Sequence, residues 1–218
     1  MIDRRAVLVA LMSCLTALPV AAAEVKFNLL SIEGLVVGTT VRVDAAFGAK
    51  HGVKVPSPFE VVVPKTSNVV ALMDAAPKPG DSFVKFNFGT EDKKLVENIQ
   101  FVPMTLPLEP EEQRLKLLAK LLAEKAFSQA VEKAAESKRL SVRKVDVNGI
   151  ASVEVVGFWQ SETEGKMYLR IVGIPHPRKP ESVFAVANIV AAREEVPSPD
   201  DLPRTRGGTV LRHFKYLD

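Results

Sequence analysis

Residues 109–138 read EPEEQRLKLLAKLLAEKAFSQAVEKAAESK, rich in Leu, Ala, Glu and Lys, with no glycine and no proline after Pro110. By intrinsic propensity this stretch is a helix. Pro110 suits a first turn, Glu111 and Glu112 complement the positive end of the helix dipole, and Lys138 with Arg139 suits the other end. At 100° per residue Leu118, Leu121 and Leu122 gather on one side, with Glu112, Lys116, Lys120 and Glu124 opposite. Beyond Lys125 the pattern inverts. Phe127, Ala130, Val131 and Ala134 fall where the charges were, while Lys125, Glu132, Lys133 and Glu136 take the former apolar side. Either the helix breaks near Lys125 or its halves bury different faces. In the second case one half docks on a sheet and the other meets the C-terminal segment or a second protein molecule.

On both sides of this helix the texture is that of strands. Upstream, from Glu24 to Leu108, Val and Phe are frequent and Gly and Pro punctuate at short intervals. The expected strands are Val25–Ser31, Thr39–Ala45, Phe59–Val63, Val69–Met73, Ser82–Phe88 and Ile99–Met104. Turns are expected at residues 48–52, 77–81 and 89–92. Within Ser82–Phe88, Val84, Phe86 and Phe88 alternate with Phe83, Lys85 and Asn87, so one face is core. Downstream, after a turn at Asn148-Gly149, come Ile150–Gln160, Lys166–Ile174 and Ser182–Ala192, the first two joined by Ser161–Gly165. Met167, Leu169 and Ile171 alternate with Lys166, Tyr168 and Arg170, as in a half-buried antiparallel strand. Pro203 and Gly207-Gly208 argue against a clean helix near Ser198, but Val210, Leu211, Phe214 and Leu217 have the spacing of a short closing helix. The sum is α+β: strand block, long helix, strand block and short C-terminal helix, forming one domain over residues 24–218 with an antiparallel sheet covered by helices.

That order, with the turn-linked run Ile150–Ala192 and the closing Leu211-Arg212-His213-Phe214-Lys215-Tyr216, resembles the PsbP/Mog1-like α/β/α sandwich proteins. The resemblance implies a non-catalytic accessory or binding protein. It carries no residue-level site.

The N-terminus reads as an address. Arg4 and Arg5 precede an apolar run from Ala6 to Val20 and then Ala21-Ala22-Ala23, the three zones of a cleavable secretory signal, with cleavage expected after Ala23. The run is shorter than the roughly 20 residues that span a bilayer. Leu11-Met12-Ser13-Cys14 loosely resembles a lipoprotein box, but the apolar run continues past Cys14 to a better small-residue site. Residues 3–8 partly match a twin-arginine signal, so Sec and twin-arginine export both stand. Cleavage removes the chain's one cysteine, and with it disulfides, thiol nucleophiles and cysteine-ligated metals. Removing two arginines and one aspartate lowers the formal charge of +3 by one. So even a balance argues against a nucleic-acid footprint. No transmembrane segment is expected after cleavage.

The chemistry-bearing residues form no motif. His51, His176 and His213 are dispersed and are expected at the surface, with no metal and no other cofactor. The acid pairs Glu162 with Glu164, Glu194 with Glu195 and Asp200 with Asp201 lie where solvated acids are expected. Neither a nucleophile elbow nor a phosphate loop is present. The candidate partner-binding residues are Trp159, Tyr168 and Arg170 on neighbouring strands, with a basic group of Arg204, Arg206, Arg212 and Lys215 near the C-terminus. Trp159 alternates with Val153 and Val155 and therefore equally suits a core position. The reading is an exported, periplasmic accessory module that binds another envelope protein. An envelope hydrolase with a Ser or carboxylate site and a small-ligand or lipid carrier are the alternatives.

Overall fold

The structure is a computed structural model that describes residues 25–65, 70–74 and 84–217. The expected export segment, the turn at 77–81, Val69, Ser82 and Phe83 lie outside the described residues. Eleven strands are described: β1 Lys26–Asn28, β2 Leu35–Val43, β3 Phe59–Pro64, β4 Val70–Asp74, β5 Val84–Gly89, β6 Leu95–Thr105, β7 Ser137–Val147, β8 Ile150–Ser161, β9 Gly165–Ile174, β10 Glu181–Val190 and β11 Lys215–Tyr216. They pair antiparallel into a seven-stranded sheet, β4-β5-β6-β10-β9-β8-β7, and a four-stranded sheet, β1-β2-β3-β11. The helices are α1 Ala45–His51, α2 Glu111–Lys120, α3 Phe127–Ala130 and α4 Arg206–Arg212, with a π-helical stretch at Leu121–Ala126 and a 3-10 turn at Pro199–Arg204.

Strand alternation gives the large sheet two buried faces. On one, Val155, Leu169, Ile171 and Val186 pack against Leu115, Leu118 and Leu122. On the other, Ile99, Phe101, Val172, Ile174 and Ala185 pack against Val210, Leu211 and Phe214 and against Phe59, Val61 and Val63 of the small sheet. The large sheet is thus the middle layer of a sandwich. Glu97 of β6 points toward α4, a position that decides the site below.

The inverted pattern of the long helix has a different resolution from either expected one. The N–H of Phe127 bonds the carbonyl of Leu122, five residues back, so the chain inserts one extra residue per turn. Spacing along the buried face runs 115, 118, 122 and then 127 and 131, and all five residues belong to one cluster. The wider turn brings Phe127 and Val131 back to the face of Leu118. Both halves therefore dock on the same sheet, and no second neighbour is required.

Besides shifts of a few residues at strand ends, such as β2 starting at Leu35 and β6 at Leu95, the structure departs from the sequence reading in whole elements. The helix ends at Ala130, and Ser137–Val147 is a strand paired with β8. Its Lys and Arg content hides an edge strand whose alternation is mostly solvated. Residues 45–51 form α1 rather than a strand end and turn: Asp44 caps Phe47 N–H at 3.0 Å, and Gly52, at φ 69°, closes it. The closing helix is Arg206–Arg212 and contains Gly207-Gly208, after which Lys215–Tyr216 joins β3. The strand order accordingly carries β7 and β11 in addition to the expected blocks. The Asn148-Gly149 turn, with φ values of 51° and 84°, is the tight hairpin that links β7 to β8.

Candidate functional site

Among the surface depressions of the described residues, one polar and one apolar lie on the α4 side of the large sheet. The polar one is built on a buried charged cluster. The carboxylate of Glu97 accepts from Thr205 Oγ1 at 3.0 Å, Arg206 N–H at 2.9 Å and Gly207 N–H at 2.8 Å, which ties the start of α4 to β6. A Cβ at Gly207 would come within 2.6 Å of Glu97 Oε1, so only glycine allows this approach. Burial pushes the Glu97 carboxyl up to about 7, although the Gly207 N–H and the Arg206 charge pull the other way. Arg206 pairs with Glu194 through Nη1, and Ser31 Oγ donates to the same Glu194 oxygen at 2.8 Å. Glu97, Glu194 and Arg206 are all essentially inaccessible.

Above this cluster lies an open cleft of about 540 Å³ lined by Ser31, Thr90, Glu91, Asp92, Val96, Arg193 and Arg206. Arg193 reaches Leu95 O and Glu164 at 2.5 Å each. Asp92 pairs with Lys94 at 2.7 Å and accepts from Thr90 Oγ1, which holds its carboxyl down at about 2.

The second depression, about 260 Å³, is apolar: Leu140, Val156, Phe158, Tyr168, Val196 and Leu202 line it with Lys166 and the prolines of residues 197–199. The Lys166 ammonium lies 5.0 Å from the Phe158 ring and 5.1 Å from the Tyr168 ring. Leu140, at the irregular point of the β7–β8 pairing, is 46% exposed.

The six expected partner residues do not form one patch. Tyr168 lines the apolar groove. Trp159 projects from the opposite face, packs with the α2 cluster and donates from Nε1 to Asn188 at 3.2 Å. Arg170 is buried and pairs with Glu154 at 2.6 Å, and Glu154 also takes Arg143 at 2.5 Å. Arg204 and Arg212 are exposed, whereas Arg206 is sealed under the cleft, so the expected basic group is divided. Two further expectations fail. Glu194 is buried while Glu195 is exposed, and His176 is buried beside Tyr216, ring centroids 4.4 Å apart. Burial lowers the His176 pKa, helped by Lys179, Arg178 and Arg114. Glu97 and Glu194 were missed because buried acids look like solvated ones in a sequence; the one available signal was the pair of glycines ahead of Val210 and Leu211. Among the described residues no group of His, Cys, Asp and Glu could hold a metal ion, and no helix is long and apolar enough to cross a membrane.

No protein-family model matches the chain, and no curated protein matches it. Solved structures do. The solution structure of cyanobacterial PsbP (CyanoP) from Synechocystis covers 86% of this chain and 98% of its own, with a TM-score of 0.50 and 11% identity. The Ran-binding protein Mog1p of Saccharomyces cerevisiae covers 83% and 97%, TM-score 0.44, 13% identity. LpqN of Mycobacterium tuberculosis, involved in cell envelope biogenesis, covers 83% and 92%, TM-score 0.47, 7% identity. The likeness to CyanoP is one of fold: this chain has a PsbP/Mog1-like architecture.

Proposed function

We propose that this chain is an exported, non-catalytic accessory module that binds another envelope protein through the groove between Leu140, Tyr168 and Leu202. The observation that carries this reading is the groove itself: an apolar trough with two aromatic rings, open to solvent, beside the exposed edge strand β7. Aromatic residues that are half-buried in such a trough are typical anchors for a partner segment. The exposed Lys138 and Lys166 at its margin favour a segment that carries acidic as well as apolar side chains.

The alternatives have less support. The buried carboxylates of Glu97, Glu154 and Glu194, whose surroundings would best suit general acid–base work, are engaged inside the fold as acceptors. A lipid carrier would need an enclosed apolar cavity, and both faces of the large sheet are filled by side chains. Export rests on the charged, apolar and alanine-rich zones of residues 1–23, and N-terminal sequencing of the mature protein is expected to begin at Glu24.

The test is capture from envelope extract with wild-type protein and with Leu140→Asp and Tyr168→Ala variants. Both positions are partly exposed, so the variants are expected to fold. A protein retained by the wild type and lost by both variants supports the reading. Equal retention by all three would sink it.

A further inference from the structure

We infer that the partner segment binds as an added strand: an extended stretch of alternating apolar and acidic residues that pairs along the free edge of β7. The inference rests on the groove as the binding surface and names the class of segment that enters it.

The edge is open, and its free groups can be assigned. Strand β7 ends the order of the seven-stranded sheet, and among the described residues no backbone group bonds its outer side. The two-residue turn at Asn148-Gly149, with positive φ at both positions, closes on the hydrogen-bonded pair Val147 and Ile150. Bonded and non-bonded pairs then alternate along an antiparallel ladder. Val145, Arg143 and Ser141 therefore bond β8, whereas Val142, Lys144 and Asp146 turn their N–H and C=O groups outward. Such a row is a template for another strand.

The side chains point to the same use. Leu140 and Val142, 46% and 41% exposed, are two of the four large hydrophobic residues that stand exposed among the described residues. Leu140 is the extra residue between Arg139 and Ser141 in the pairing with β8, and it lines the groove with Val156 and Phe158. A strand laid along β7 continues the floor of that groove and can set an apolar side chain beside Leu140. Charge selects the kind of strand. Arg143 and Lys144 already have Glu154, Asp200 and Glu111 as partners. Near Leu140, by contrast, Arg139 bonds the carbonyl of Ala123, Lys166 lies over two rings, and neither these two nor Lys138 has an acidic partner among the described residues. Like charges on facing strands repel, so a second copy of β7 is the poorer match and an acidic segment the better one.

The probe is a capped peptide that alternates valine and glutamate, added to the full chain without its export segment and followed by amide hydrogen exchange. Exchange at Val142, Lys144 and Asp146 is expected to slow at least about tenfold, with little change at Ser141, Arg143 and Val145. A valine–lysine peptide, and the valine–glutamate peptide N-methylated throughout, should each bind at least about tenfold more weakly. Val142→Pro removes an outward donor, a change that edge strands tolerate, and should weaken the peptide at least about tenfold. If that variant fails to fold, the exchange pattern of the wild type still decides. No slowing at the three outward amides, or equal binding of the lysine peptide, would overturn the inference. Slow exchange at those amides in the chain alone, with a dimer in sedimentation, would also overturn it and give the edge to a second copy. An envelope protein lost by Tyr168→Ala but kept by Val142→Pro would overturn strand addition and leave the groove reading standing. Peptide addition on β7, with capture indifferent to Tyr168→Ala, would support strand addition and remove the groove.

Discussion

The backbone N–H of Phe127 donates to the carbonyl of Leu122, five residues earlier rather than four, and both side chains lie in the same buried cluster. One extra residue in the turn reconciles a sequence whose apolar stripe changes side with a sheet that presents only one surface to it.

Deleting Glu124, which is exposed within that turn, is therefore expected to restore ordinary four-residue spacing while leaving Phe127 and Val131 on the buried face. The protein should fold with little loss of stability. Deleting Lys116 should instead rotate Arg114 and Leu115 out of their places and cost about 2–5 kcal/mol, as loss of a buried leucine does. Urea unfolding of the two deletions decides the matter: equal losses would mean that the wide turn has no role in register.

Much of this was legible in the sequence, and what was not has definite physical causes. Val84, Phe86 and Phe88 alternate in sequence and are buried together, because hydrophobic period is a direct image of a sheet face. Strand β7 was hidden because its partner β8, not its own lysine-rich composition, holds it extended. Gly207-Gly208 reads as a helix breaker, yet the contact that requires it is with Glu97, 110 residues away from Gly207, and no local rule can register that. Tyr168 lines the apolar groove, while Arg170 and Arg206 are drawn inward by acids whose burial depends on the tertiary fold.

Gly207→Ala separates local propensity from packing. Alanine gains about 1 kcal/mol over glycine within a helix. The added methyl would meet Glu97 Oε1 at 2.6 Å, Ile99 Cβ at 3.4 Å and Ala187 Cβ at 3.5 Å, and overpacking of this kind costs about 1–3 kcal/mol. Packing should win, and the melting temperature should fall. A rise would show that the Glu97 contact yields easily.

Glu97 makes stability depend on pH. Its folded pKa of about 7 lies above the model-peptide value of 4.5, so the folded state holds the proton more tightly than the unfolded chain does. The associated stability is present in full below about pH 4.5 and is lost as pH rises through about 7, a change of order 3 kcal/mol if the whole shift is realised. Urea midpoints measured between pH 5 and pH 8 should decline, and Glu97→Gln should flatten that decline whatever it does to absolute stability. A slope unchanged in the variant would assign it to other groups.

The groove beside β7 is the proposed protein-binding surface, and crosslinking tests it directly. A photo-crosslinking residue placed at Tyr168, and as a control at Lys116 on the exposed side of α2, can be illuminated in intact envelopes of the producing cells. A discrete adduct with one envelope protein from position 168, absent from position 116, is the predicted result. No adduct from 168, or the same adducts from both positions, would contradict it.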